Sequence, residues 1–271
     1  MTGQSNLHTH TTYCDGMNTP REMADAAIMK GFRSLGFSGH VPAPFDPSYC
    51  MTPLGALAYK EEVRRLGEEY AGRIKLYLGV EDDACVSYPS DGLDYVIGSN
   101  HYLVVNGKYY AMDNTPEELR ACMDALGSGP LGLAKEYYRH FTKYALHRKP
   151  DIIGHFDVIT KFNGTTRMFD TDSAAYRRIA LEALTAIAES GAIFEVNTRC
   201  MACGFSTTPY PAPFLLKRLL ELGGSVVITS DAHEAGLLDA HFATVHTLLR
   251  DIGFREVMEY TPKGFIPAPL L

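Results

Sequence analysis

The chain has no apolar run long enough to cross a bilayer, which takes about 20 residues, so no membrane partner is expected. It has no surplus of positive charge either; the formal net charge is -7 at pH 7. Without a basic surface there is nothing to hold a nucleic acid or an anionic membrane by electrostatics, and no nucleic-acid partner is expected. An anionic small molecule is still compatible, because bound metal ions can reverse the local potential. G-x-x-x-x-G-K-[ST] does not occur, and the one G-x-G-x-x-G, Gly127 to Gly132, divides two helical stretches and does not follow a strand, which removes the support for a nucleotide-binding fold. The six cysteines, Cys14, Cys50, Cys85, Cys122, Cys200 and Cys203, are scattered rather than framed as in small secreted domains. Cys200-x-x-Cys203 has no second C-x-x-C to complete a zinc ribbon. Met1-Thr2-Gly3-Gln4-Ser5 is polar and has no signal-peptide core, so a reduced, cytoplasmic location is the expectation.

What the chain does have is alternation. Apolar runs suited to strands buried on both faces cover Asn6–His10, Ser34–His40, Ile74–Glu81, Asp94–His101, Asp151–His155, Ala192–Asn197 and Ser225–Asp231. Helical patterns fall between them. Thr19-Pro20-Arg21-Glu22 is a helix start with its capping box, and that helix should end near Gly31. Thr115-Pro116-Glu117-Glu118 opens a second helical region that Gly127-Ser128-Gly129-Pro130 divides in two. Further helices are expected over 53–71, 173–190, 213–222 and 239–251. Asn106-Gly107 predicts a type I′ hairpin turn, and Pro267-Ala268-Pro269 reads as an extended tail. No linker, low-complexity tract or repeat interrupts this order. About seven strands alternating with helices predict an α/β fold, an irregular (β/α) barrel, with an open doubly wound sheet as the rival. A barrel of this kind can hold all 271 residues, so 1–271 are expected to form one domain.

The chemistry sits where the predicted strands end. Six of the ten histidines lie there, whereas His140, His147, His241 and His246 fall in predicted helices. His8 and His10 are two apart, so on one strand their side chains point the same way. Asp231 and His233 repeat that spacing. His40, Glu81, His101 and His155 close four other runs, and Asp15 follows the first run closely. In a parallel barrel these ends share the face that carries active sites. Nine nitrogen and oxygen donors exceed the four to six ligands of one ion. They suit two or three divalent cations, Zn, Mn, Fe or Co, bridged by a carboxylate. Clustered cations activate water and clamp phosphoryl oxygens, so hydrolysis of a phosphate ester is the natural chemistry. Arg199, after Glu195-Val196-Asn197-Thr198, is a candidate phosphate ligand or else a surface arginine, and Lys161 is a weaker candidate. Asp82 and Asp83 read as solvated loop acids, unless one of them orients a ligand histidine. The aromatic run Tyr137, Tyr138, Phe141 and Tyr144 reads as helix packing, with a lid over the substrate as the alternative.

Taken together, His8-x-His10, Asp15-Gly16, Gly39-His40, Gly79-Val80-Glu81, Ser99-Asn100-His101, Gly154-His155-Phe156-Asp157, Glu195-Val196-Asn197-Thr198 and Ser230-Asp231-Ala232-His233 resemble the polymerase and histidinol phosphatase (PHP) family. The resemblance spans essentially the whole chain in order. The stretch from Asp94 to Glu118 is most similar to the stand-alone histidinol-phosphate phosphatases. That resemblance implies a distorted (β/α)7 barrel with three metals. It places His8, His10, Glu81 and Asp231 on one ion, Glu81, His101 and His155 on a second, and Asp15, His40 and His233 on the third. It makes Asp15, Glu81 and His233 the catalytic residues. The implied reaction is hydrolysis of L-histidinol phosphate to L-histidinol and phosphate, a step of histidine biosynthesis. Water activated between the ions that Glu81 bridges would attack phosphorus in line, and Asp15 or a second water would protonate the leaving alkoxide. The family often carries histidine where Asp15 stands.

Overall fold

The computed structural model describes residues 4–86 and 88–270. Its centre is a seven-stranded, wholly parallel sheet. In chain order, the strands and helices that build and flank it begin with β1 (Ser5–Asn6), α1 (Pro20–Met29), β2 (Ser34–Phe37), α2 (Pro53–Glu69), β3 (Lys75–Asp83) and β4 (Tyr95–Ser99). A hairpin of β5 (Tyr102–Val105) and β6 (Lys108–Ala111) follows, then α3 (Pro116–Leu126) and α4 (Pro130–Arg148). Next come β7 (Ile152–Ile153), α5 (Asn163–Thr166), α6 (Ala174–Ala188), β8 (Ile193–Asn197), α7 (Arg199–Ala202), α8 (Pro213–Glu221), β9 (Ser225–Thr229) and α9 (Phe242–Ile252). A last hairpin pairs β10 (Glu256–Thr261) with β11 (Gly264–Pro269). The sheet runs β1-β2-β3-β4-β7-β8-β9. Its two edges meet beyond the named strands. His10 N donates to Ala232 O at 2.8 Å and Ala232 N to His8 O at 3.2 Å, around the parallel bridge Thr9↔Ala232. A nearly closed barrel results, and the seam that closes it carries two of the candidate ligand motifs.

Local chemistry explains the element boundaries. Thr19 caps α1, with Glu22 returning the bond, Thr52 caps α2, Thr115 caps α3 and Ser173 caps α6. Each satisfies an N–H that the first helical turn leaves free. Proline occupies the first turn of α1 to α4 and of α8, where its missing N–H costs nothing. Asn106 and Gly107 have φ of 52° and 78°, as a type I′ turn requires. Three expectations need correction. Pro267-Ala268-Pro269 belongs to β11 and is not a free tail. His241 is not helical; it takes a left-handed φ of 59° as the cap before α9. Asp82 and Asp83 are strand residues of β3 and are buried, not solvated.

Two apolar layers hold the barrel. One lies between the sheet and its helices, and Tyr137, Tyr138 and Phe141 are buried in it. They therefore pack rather than form a lid. The other fills the lower barrel with Leu7, Tyr77, Tyr95, Ile97, Ile152, Ile193 and Val227. Met258, Tyr260 and Phe265 of the last hairpin close it from below, and Tyr260 OH donates to Asp94 O at the start of β4. With that end stoppered, polar groups collect at the other. Tyr95 is the keystone of the lower layer. Its hydroxyl lies 2.5 Å from Leu7 O and 3.0 Å from Phe37 O. A Cβ on Gly79 would fall 2.3 Å from the Tyr95 ring. Gly79→Ala is therefore expected to destabilise the protein by about 1–3 kcal/mol through overpacking. A denaturant titration checks this, and an unchanged midpoint contradicts it.

Candidate metal centre

β3 delivers the central carboxylate. Residues two apart share a face, so Glu81 and Asp83 turn into the barrel while Asp82 points outward to Arg148 Nε at 2.8 Å. Glu81 Oε2 lies 3.2 Å from His8 Nε2, 3.4 Å from His10 Nε2 and 3.0 Å from His40 Nδ1. Glu81 Oε1 lies 3.3 Å from His101 Nε2 and 3.0 Å from His155 Nε2. Five imidazoles from four segments thus surround one carboxylate. Asp231 Oδ1 joins from the end of β9, 3.2 Å from His10 Nε2 and 3.6 Å from His8 Nε2. Its φ of 49° is the left-handed conformation that aspartate tolerates better than most residues. Asp15 Oδ2 completes the cluster, 3.0 Å from His233 Nε2 and 3.7 Å from His40 Nε2. All nine candidate ligands therefore meet at the C-terminal ends of the strands.

This donor set fits cations better than it fits itself. His8 Nε2 and His10 Nε2 face each other at 3.1 Å, as do His101 Nε2 and His155 Nε2. Glu81 Oε2 and Asp231 Oδ1 are buried without a hydrogen-bond partner. Buried polar atoms left so are costly, and a cation between them relieves the cost. Three groupings have the reach to hold one: His10, Asp15, His40 and His233; His8, His10 and Glu81; and His40, Glu81 and His101. No thiolate takes part, in keeping with N/O-preferring divalent metals.

Without metal the cluster is a set of imidazole–carboxylate pairs. Burial opposes the charge on His8, but Asp231, Glu195 and Glu81 outweigh it and raise its pKa well above the ordinary value. Burial, with the charges on His233 and His40, drops His10 to about 3. Burial works against ionised Glu81 and Asp231 too, yet the surrounding histidines hold both well below the usual carboxylate range.

Two supporting carboxylates steer the imidazoles. Glu195 of β8 is fully buried; its Oε2 lies 2.7 Å from His8 Nδ1 and accepts from Thr229 OH at 2.8 Å. Its Oε1 takes His155 N and Asn197 Nδ2. Asp83 Oδ2 accepts from His101 N at 2.8 Å and lies 3.2 Å from His101 Nδ1. Each leaves the opposite nitrogen free for a metal. Asp83 thus takes the orienting role. The role of Glu195 was not read from the sequence, although an acid two residues before Asn197 within an apolar run was the available signal. Glu195→Gln is expected to weaken metal affinity about 10- to 100-fold. Competition with a chelator of known affinity measures this, and wild-type affinity refutes it.

A cavity of about 410 Å³ opens above the cluster. Asp15, His40, Glu81, His101, His155, Asp231 and His233 form its floor, and Arg199 and Lys161 stand on one wall. Lys161 Nζ is already engaged, 2.6 Å from Asp113 O and 3.7 Å from Asp113 Oδ2. Arg199 has no carboxylate partner among the described residues, and its backbone is fixed by Asn197 Oδ1 at 2.8 Å. Cys200 and Cys203 line the cavity as free thiols.

A parallel seven-stranded barrel with this polar centre at the ends of its strands is of the metal-binding (β/α) class. Comparison with known proteins makes the class specific: the PHP domain model matches residues 6–199, and the chain belongs to the PHP-domain family. A "Probable histidinol-phosphatase" of Deinococcus radiodurans is 34% identical over 268 residues, 95% of this chain and 96% of that protein. The histidinol-phosphatase of Bacillus subtilis is 28% identical over 255 residues, 84% of this chain and 93% of that one. The crystal structure of histidinol phosphate phosphatase from Lactococcus lactis, complexed with Zn, L-histidinol and phosphate, superposes with a TM-score of 0.70. The match covers 97% of this chain and 98% of that one at 20% identity, a likeness of fold.

Proposed function

We infer that this protein is a histidinol-phosphatase, a phosphoric monoester hydrolase that converts L-histidinol phosphate and water to L-histidinol and phosphate. Histidine biosynthesis is the setting that this activity implies. The observation that carries the reading is the complete nine-residue cluster, undisturbed by any inert replacement, in a chain similar over 95% of its length to a "Probable histidinol-phosphatase". Two or three divalent ions, of Zn, Mn, Fe or Co, are the cofactors. When bound they supply Lewis acidity and lower the pKa of water.

The chain's own groups do the rest. His8, His10 and Asp231 form one side of the centre, His101 and His155 the other, and Glu81 joins them. Asp15, His40 and His233 face the cavity. Glu195 and Asp83 fix the imidazole tautomers. Arg199, at the wall and without a carboxylate partner among the described residues, binds the phosphoryl oxygens through its guanidinium fork; Lys161 adds charge from beside Asp113. Asp15, on the cavity floor, would take the proton released by the attacking water and return it to the leaving alkoxide. The partner is thus a small phosphate ester. The net charge of -7 disfavours nucleic acid, and no helix of the described residues is long and apolar enough to cross a membrane.

Phosphate release from L-histidinol phosphate, set against a panel of nucleoside monophosphates, sugar phosphates and one diester, tests the assignment. L-Histidinol phosphate is expected to give the highest kcat/KM. Equal or greater turnover of a panel member overturns the substrate and leaves the centre standing.

A further inference from the structure

The cavity has a second wall. It is made by the loop between β2 and α2, which carries Phe45, Asp46, Ser48 and Tyr49, backed by the β5–β6 hairpin. Aromatic packing stiffens it. Phe45 stacks on Tyr109 with ring centres 4.0 Å apart, and Tyr49 lies over Tyr102 at 6.0 Å. Tyr49 also stands edge-on to His40 at 4.8 Å, so its ring spans from the metal centre towards the rim.

Beyond Tyr49 comes a carboxylate. Asp46 Oδ2 accepts from Tyr102 OH at 2.5 Å, and its Oδ1 accepts from Ser48 OH at 2.5 Å and Ser48 N at 3.1 Å. These donors fix its position and favour its charged form, but none neutralises it. Outside the metal cluster, the other acid lining the cavity is Asp113, and Lys161 already stands beside it. Asp46 has only hydroxyl and amide partners among the described residues. The cavity therefore runs from a cation-holding floor, past an aromatic ring, to an uncompensated negative charge. Its occupant should be phosphate at one end and cationic towards the other, with a short stretch of carbon against the ring between them.

Resting on the histidinol-phosphatase reading, we propose that Asp46 is the specificity-determining residue that receives the cationic end of the substrate, with the Tyr49 ring against its carbon skeleton. The substrate carries an ammonium a few bonds from phosphorus and an imidazole beyond it. Both are positive or polar, and neither finds a free acid elsewhere in this cavity.

The test compares wild type with Asp46→Asn, each with its metals, on L-histidinol phosphate and on 4-nitrophenyl phosphate, an ester with no cation. Titration calorimetry with L-histidinol gives a reading independent of turnover. In Asp46→Asn the ratio of kcat/KM for L-histidinol phosphate to that for 4-nitrophenyl phosphate is expected to fall about 10- to 100-fold, through KM. L-Histidinol binding is expected to weaken by the same factor, and Asp46→Glu, which keeps the charge, to recover part of both. A variant that keeps the wild-type ratio and L-histidinol affinity overturns the proposal, as does an equal loss on both esters. If wild type itself prefers a nucleoside monophosphate, the parent reading fails, and that is seen before any variant is made.

Discussion

Glu81→Gln is expected to cut turnover by about a thousandfold or more, ~4 kcal/mol in the barrier, while leaving the barrel folded. No other side chain touches so much of the centre. Its two oxygens lie 3.0 to 3.4 Å from the nitrogens of His8, His10, His40, His101 and His155. An amide keeps the shape and removes what matters. One oxygen becomes an NH2 that cannot ligate a cation, and the negative charge that bridges two groupings of imidazoles is gone. The fold should survive for the same reason. The NH2 can donate to an imidazole nitrogen, and the remaining oxygen can still accept from Ser99 OH, which lies 2.6 Å from Oε1. Elemental analysis, turnover and a thermal melt on one preparation check all three parts. Near-normal turnover with full metal content refutes the bridging role.

How much of this could be read from the sequence depended on where each residue sits along its strand. Strands buried on both faces appear as apolar runs, and an acid or imidazole ending such a run stands out; His40, Glu81, His101 and His155 were found that way. Glu195 did not stand out because it lies inside its run, although its alternation with Asn197 puts both on the inner face. Asp82 and Asp83 looked like loop acids because they follow Glu81. In fact β3 is nine residues long, and its alternation sends Asp83 to His101 and Asp82 to Arg148. Adjacent acids can be buried when each has its own partner.

The remaining misreadings have a different physical origin. Two prolines argue against a strand because each removes a ladder donor, so β11 was hidden. In an isolated two-stranded hairpin both edges are free, and Pro267 and Pro269 pair opposite Met258 and Glu256 without breaking a larger sheet. His241 fell within an amphipathic stretch, but its left-handed backbone turns the chain into α9. Asp46 carries no motif at all. Its setting comes from Tyr102, 56 residues along the chain, and such partners are invisible before folding.

Removing divalent ions by chelation is expected to abolish turnover and to lower Tm by about 10 °C, in line with loss of a ligand held well above its Kd. The gap between loaded and stripped protein should also widen from about pH 6 to about pH 8. The sign follows from the directions of the shifts. In the stripped protein His8, His101 and His233 have pKa values above the ordinary 6.5, because nearby carboxylates outweigh the opposing effect of burial. A group whose folded pKa is raised contributes its stability below the unfolded value and loses it as pH climbs through the folded one. Protons thus serve as the cations of the empty centre, and they leave as pH rises. Glu81, Asp231 and Glu195 are shifted the other way, with burial again overcome by the histidines, so their contribution is lost only in acid. Above neutrality the stripped centre keeps its negative charges and gives up its positive ones. Metal ions replace those protons and bind more tightly as the imidazoles deprotonate. Melts of both forms across this range, with ions added back at the end, check the prediction. A gap that stays constant or narrows with rising pH would mean that these imidazoles and acids do not share a cation site.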